Sequence, residues 1–187
     1  MGTIRGNLFQ QAGDLDLLKR MRDSGCLDLG YSLESASEEI LAAMKKNLSL
    51  DQFRKQKMLL DKAEIASSTS IVLGYPQETV ETIAKTYQFC LDLGIYPSSG
   101  FLLPQPETPI YEWARREGLI KDEEEYLLRM GDRQDLRINL TQMTDEEFLG
   151  SVNYWLRRLN KEMALGLRDD ELVKTMHYRS RSRESRG

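Results

Sequence analysis

Two short stretches carry the residue types best suited to chemistry. In "CLDLGYSLESAS", residues 26–37, Glu34 follows an apolar run and precedes a helix-like segment. A carboxylate so placed serves as an acceptor for a ligand's hydroxyl or amino groups, or favours the positive end of the next helix. In "SIVLGYPQET", residues 70–79, a β-branched run stops at Gly74, Tyr75 and Pro76. Gly74 suits either a close backbone approach to a ligand or a tight turn. Free backbone amide and carbonyl groups there have the chemistry to read the edge of a base.

Other reactive residue types form no constellation. The two cysteines, Cys26 and Cys90, stand far apart and make no CxxC pair, so they read as reduced, buried thiols. A closed metal site usually takes four ligands, and two thiols fall short of that. His177, the single histidine, sits beside the arginine-serine tail with no Ser, Cys or Asp arrangement around it, so no triad or histidine metal site is expected. The acidic run "KDEEEY" reads as a helix start. Trp113, Tyr154 and Trp155 fall at helical spacing with apolar neighbours and are expected to pack.

The elements that would position Glu34 and the Gly74 turn follow from periodicity. Residues Leu15, Leu17, Leu18 and Met21 mark a short helix closed by Gly25. Leu27, Leu29, Tyr31 and Leu33 alternate as the inner face of a strand. Ser35 or Ser37 could cap a helix carrying Ile40, Leu41 and Met44, and a second helix carries Phe53, Met58 and Leu60. "ASSTSIVLG" is then a strand. Val80, Ile83, Ala84, Tyr87, Cys90 and Leu91 form a helix stripe, with Thr79 as N-cap and Gly94 as stop. "YPSSGFLLP" is a further strand, and a helix begins at or just after Pro109. Past residue 120 only helices are expected, one opening with the capping box Thr144 to Glu147.

Strand and helix therefore alternate over the first 120 or so residues, which implies parallel βαβ units. Ligands in such sheets bind at the carboxyl ends of the strands. Here those ends are Leu33-Glu34-Ser35, Gly74-Tyr75-Pro76 and Leu103-Pro104-Gln105. With "TIRGN" as an edge strand, the sheet has about half the strands of a closed parallel barrel, which needs eight. Residues 3–6 are expected at an edge that needs a preceding segment to cover it.

Bulk properties exclude several classes. With 26 basic and 30 acidic residues, the charge is −4, which calls for neither nucleic acid nor a membrane surface. No apolar run approaches the ~20 residues of a membrane span. The amino-terminal residues lack a signal peptide's apolar core, so a cytoplasmic location is expected. The four tail arginines among serines read as a solvated segment rather than a phosphate-binding surface.

Three stretches taken together, "DLDLLKRMRDSGCLDLGYSLESASEEILAAMKK", "SIVLGYPQETVETIAKTYQFC" and "FLLPQPETPIYEWARREGLI", resemble the second half of the radical S-adenosylmethionine enzymes. The likeness is closest to their cobalamin-binding branch of oxidative cyclases and methyltransferases. It implies an α/β fold: a partial parallel (βα) barrel over 1–120, the second half of a six-unit barrel. A helical extension over 121–176 and a disordered basic tail over 177–187 would follow. It also implies a chain contributing S-adenosylmethionine contacts. Glu34 and Ser35 would lie beside the methionine or ribose, and Val72, Leu73, Gly74 and Tyr75 would border the adenine. Pro104, Pro106, Thr108 and Pro109 match the family's proline-rich end of the sixth strand, and Arg5 matches an arginine at the end of the third. Ser32 stands where the family usually has glycine. The family's CxxxCxxC loop is absent. Thiolates hold such clusters, so the four-iron–four-sulfur cluster, and cobalamin if used, would belong to a full-length parent, and this chain alone is expected to be inactive. The expected partner is the missing amino-terminal half of the barrel or a chain supplying it. The alternative is a non-catalytic half-barrel module that another chain completes by strand addition.

Overall fold

The structure, a computed structural model, describes residues 2–173; His177 and the basic tail lie outside the described residues. Four parallel strands form one sheet in sequential order: β1 (Gly2–Ile4), β2 (Asp28–Glu34), β3 (Ala66–Leu73) and β4 (Ser98–Phe101). Helix α1 (Asp14–Asp23) joins β1 to β2, and α2 (Glu38–Ala43) and α3 (Leu50–Lys62) join β2 to β3. Helix α4 (Val80–Asp92) joins β3 to β4, and α5 (Pro109–Arg116), α6 (Glu123–Arg129) and α7 (Asp145–Glu162) follow. This is the α/β half barrel expected from the alternation of strand and helix.

Period-two alternation decides which strand residues meet the helices. Leu29, Tyr31 and Leu33 of β2 and Thr69, Ile71 and Leu73 of β3 are buried on the helix side. The opposite face carries Gly30, Ser32 and Glu34 of β2, Ser68, Ser70 and Val72 of β3, and Ser98 and Gly100 of β4. That face is small and polar, unlike the two-sided apolar strands of a fully covered parallel sheet. Leu27, expected on the inner face, precedes β2 and is 59% exposed.

Helix ends follow side-chain capping. Thr79 accepts from the Thr82 amide in a reciprocal capping box that opens α4, and Gly94 takes φ +63° just beyond its end. Ser49 with Gln52 and Thr144 with Glu147 do the same for α3 and α7. Ser37 occupies the cap position of α2, but its side chain makes no cap bond. Glu38 and Glu39 in the first turn favour the helix dipole there instead.

Helix α7, expected as part of an extension, joins the main core. Its Phe148, Val152, Trp155, Leu156 and Leu159 are buried with Leu33, Ile71, Leu73 and Ile83. Trp155 stacks on Tyr87 of α4, with ring centroids 6.3 Å apart and planes within 7°. Tyr154, expected to pack, is 59% exposed, although its ring meets Trp155 edge-on at 5.7 Å. Tyr111, Ala114, Ile120 and Leu140 form a smaller second core. Strand β4 ends at Phe101, earlier than expected. Leu102 still donates to the Leu73 carbonyl at 2.7 Å, and Pro104, which has no N–H, stops the ladder. Among the described residues β1 pairs only with β2, so it is an edge strand as expected. No helix among the described residues is long and apolar enough to cross a membrane.

Candidate functional site

The small polar face of the sheet forms the floor of a cavity of about 500 Å³ toward the carboxyl ends of the strands. That volume falls within the range of small-molecule sites, about 300–1,000 Å³. Ser32, Ser70, Val72, Ser98 and Gly100 line it from the strands, and Glu34 and Tyr75 from the strand ends. Lys46 and the segment from Asp132 to Gln134 close it from outside the sheet.

Glu34 sits at φ +66°, in the left-handed region that a residue with a Cβ rarely adopts. The β2–β3 register shifts between Ser32 and Glu34, so the last residue of β2 leaves the regular pleat. Its carboxylate Oε1 accepts from Lys46 Nζ at 2.7 Å, and the side chain is 19% exposed. Lys46 follows α2, where Lys45 at φ +53° turns the chain. Glu34 is thus held by a lysine at the cavity. Behind it on the floor, the hydroxyls of Ser32 and Ser70 share a hydrogen bond of 2.8 Å across the strands.

Tyr75 forms a wall. Burial raises its pKa first, the nearby Glu34 carboxylate raises it further, and Arg133 lowers it. The tyrosine therefore feels both charges across the cavity.

The Gly74 turn is fastened from the helix side. Gly74 sits at φ +102°, and a Cβ there would lie 3.3 Å from Phe148 Cζ of α7. Its amide donates to Glu78 Oε2 at 3.2 Å, and the Thr82 hydroxyl donates to Glu78 Oε1. Burial pushes the Glu78 carboxyl up to about 7, against the lowering effect of those two bonds. Of the two uses of glycine, the structure shows the tight turn: the missing side chain makes room for a ring.

The structure brings Glu34, Val72 and Tyr75 together and leaves the other candidates off the cavity. Ser35 is 1% exposed, with its Oγ 3.2 Å from Thr86 Oγ1 and accepting the Ser37 amide at 3.0 Å. It ties the end of β2 to α4. Leu73 is a core residue at 1% exposure. Arg5 is exposed just past β1, and its carbonyl accepts from Gln56 Nε2 at 2.9 Å. The Pro104 carbonyl accepts the Tyr126 hydroxyl at 2.7 Å, and Thr108 caps α5.

Sequence reasoning missed Lys46, Glu78 and Arg133. Glu78 had a signal, an acid directly before a helix cap and after a glycine turn. Lys46 belongs to a pair of lysines that looks like any solvated helix end, and Arg133 belongs to a segment with no periodicity.

Among the described residues, no group of three or more His, Cys, Asp or Glu side chains is arranged to hold a metal. Cys90 is buried, and burial pushes its thiol up to about 12, far from the thiolate that a cluster requires. Cys26, expected to be buried, is only half-buried at the foot of β2, opposite the rim, because it precedes the strand. The described residues do not fit an iron–sulfur cluster.

No protein-family model matches the chain. It is 30% identical over 127 residues to the tRNA-2-methylthio-N(6)-dimethylallyladenosine synthase of Buchnera aphidicola, covering 66% of this chain and 28% of the relative. It is 29% identical over 119 residues to an uncharacterised methyltransferase of Pyrococcus horikoshii, covering 63% of this chain and 25% of the relative. The chain thus spans about a quarter of the length of these relatives. In fold it resembles coproporphyrinogen III oxidase of Escherichia coli, a radical SAM enzyme, with a TM-score of 0.52 and 16% identity. That likeness covers 85% of this chain and 31% of the oxidase.

Proposed function

We propose that this chain is the C-terminal part of a radical S-adenosylmethionine iron–sulfur enzyme, and that its cavity receives the ribose and adenine of the cofactor. The observation that carries the reading is the convergence of Glu34, Val72 and Tyr75 on one cavity, in a half barrel that resembles a radical SAM enzyme. The residues suit a nucleoside. Lys46 engages Glu34 Oε1, and Oε2 has no partner among the described residues, which leaves it to accept from sugar hydroxyls. Val72 offers an apolar surface, and the Tyr75 ring a face for a base.

The cluster itself belongs to the rest of the parent, because the described residues supply no set of ligands for it. Bound S-adenosylmethionine would supply the adenosyl group to the parent's reaction. The role of these residues is to bind and orient the nucleoside half and to shield it from water. Cobalamin is not part of the proposal. Ser35 and Gly74 support the site from behind, by fixing the ends of β2 and β3.

Reading the coding DNA upstream of Met1, in frame, tests the partial-barrel reading. A strand-like segment followed by CxxxCxxC is the expected result. An in-frame stop codon there would overturn it and favour a half-barrel module whose β1 edge, exposed at Gly2 and Thr3, takes a strand from another chain.

A further inference from the structure

The segment between α6 and α7 lays one arginine over the cavity. The Arg133 carbonyl accepts the Phe101 amide at 2.6 Å, a bond made on the side of β4 that faces away from β3. Its Cβ stands 3.7 Å from the point a Cβ on Gly100 would occupy. The backbone at Arg133 is therefore pinned to the sheet edge, and the side chain lines the cavity.

The arginines on either side of it are paired. Arg129 meets Glu125 at 2.8 Å, and Arg137 meets Asp135 at 2.9 Å. The Arg133 guanidinium donates no hydrogen bond and joins no ion pair among the described residues. Asp132 beside it also lines the cavity; its Oδ1 accepts the Gln134 amide at 3.1 Å, and it forms no ion pair with Arg133. Lys46, the other cation of the cavity, is held by Glu34. The Arg133 guanidinium thus keeps its donors uncommitted among the described residues, and it stands over β4 while Glu34 and Val72 belong to β2 and β3. A guanidinium presents a planar fork of donors that matches carboxylate and phosphate oxygens.

We infer that Arg133 anchors an anionic group, a carboxylate or a phosphate, on the substrate that shares this cavity with the cofactor. The inference rests on the reading of the cavity as the nucleoside site. It assigns the two ends of the cavity to different molecules: nucleoside at β2 and β3, anionic substrate at β4.

The test is equilibrium dialysis of the full-length protein at low ionic strength, with inorganic pyrophosphate as the anion probe and 5′-deoxyadenosine as the nucleoside probe. Wild-type protein is expected to bind pyrophosphate saturably. Arg133→Gln should bind it at least tenfold more weakly, and Arg116→Gln, which removes an exposed charge on α5, should stay within twofold of wild type. Binding of 5′-deoxyadenosine should be the same in all three. Equal pyrophosphate binding by Arg133→Gln and wild type, or no saturable binding by wild type, overturns the inference. If Arg133→Gln weakens S-adenosylmethionine but not 5′-deoxyadenosine, the arginine serves the cofactor's own carboxylate and the substrate assignment is overturned. If wild type ignores 5′-deoxyadenosine while its pyrophosphate binding depends on Arg133, the nucleoside reading falls and the anion site stands.

Discussion

Replacing Gly74 with alanine separates the two uses of that glycine. The residue sits at φ +102° with Phe148 Cζ and Cε1 at 3.3 and 3.4 Å from the position of an added Cβ. The backbone conformation alone costs about 1–2 kcal/mol for a residue with a side chain. Pressing a methyl group against a fully buried ring adds about 1–3 kcal/mol, because Phe148 is held by the core on its other sides. The narrower unfolded ensemble of alanine returns about 0.4–1 kcal/mol. The net loss should be about 2–4 kcal/mol. Gly94→Ala is the control: φ is +63° and no atom lies within 4 Å of the added carbon, so about 1 kcal/mol is expected. Urea unfolding followed by tryptophan fluorescence measures both. In a Phe148→Leu background the cost of Gly74→Ala should fall toward the Gly94 value. If Gly74→Ala is no worse than Gly94→Ala and instead loses only cofactor affinity, the ring-packing account of the turn is wrong.

Two further substitutions probe the support behind the site. Glu78 titrates near 7 in the folded protein against 4.5 for a free carboxyl, so the folded state binds more protons than the unfolded state between those values. Stability should therefore fall as pH rises through that window, by on the order of 3 kcal/mol. Glu78→Gln keeps one oxygen to accept the Gly74 amide while its NH2 turns to donate to the Thr82 hydroxyl; it should flatten the dependence in unfolding curves taken from pH 4.5 to 8, and an unchanged slope would refute the assignment. Ser35→Ala removes one of the two bonds that reach Thr86 of α4 from the end of β2, leaving the Ala36 amide on Thr86 Oγ1, and should cost about 1 kcal/mol while leaving S-adenosylmethionine affinity within twofold of wild type. A large loss of affinity at full stability would return Ser35 to the ligand side.

The sheet was legible in the sequence because its pattern is local. Leu29, Tyr31 and Leu33 alternate, Ile71 and Leu73 do the same, and Thr79 and Gly94 punctuate α4 at both ends. Glu34 was legible because a carboxylate at the end of an apolar strand conflicts with its surroundings. Its left-handed backbone and its lysine partner were not, since both arise from a register shift that sequence does not display. Gly74 was legible as a turn, but the ring that requires a glycine lies on α7, more than seventy positions along the chain. The same distance hid the place of α7 in the core: its apolar stripe showed that it packs, without showing against what. Arg133 had no signature of any kind. Its position depends on one backbone bond to Phe101, formed only after the sheet edge exists.

The most direct measurement is equilibrium binding of radiolabelled S-adenosylmethionine to the full-length protein, wild type against Glu34→Gln. The substitution keeps the size of the side chain and removes the charge that Lys46 holds at 2.7 Å. Affinity should fall at least tenfold with an unfolding midpoint close to wild type, since the ion pair is partly exposed. Unchanged affinity would contradict this, and would leave the cavity at the end of β2 without the nucleoside proposed for it.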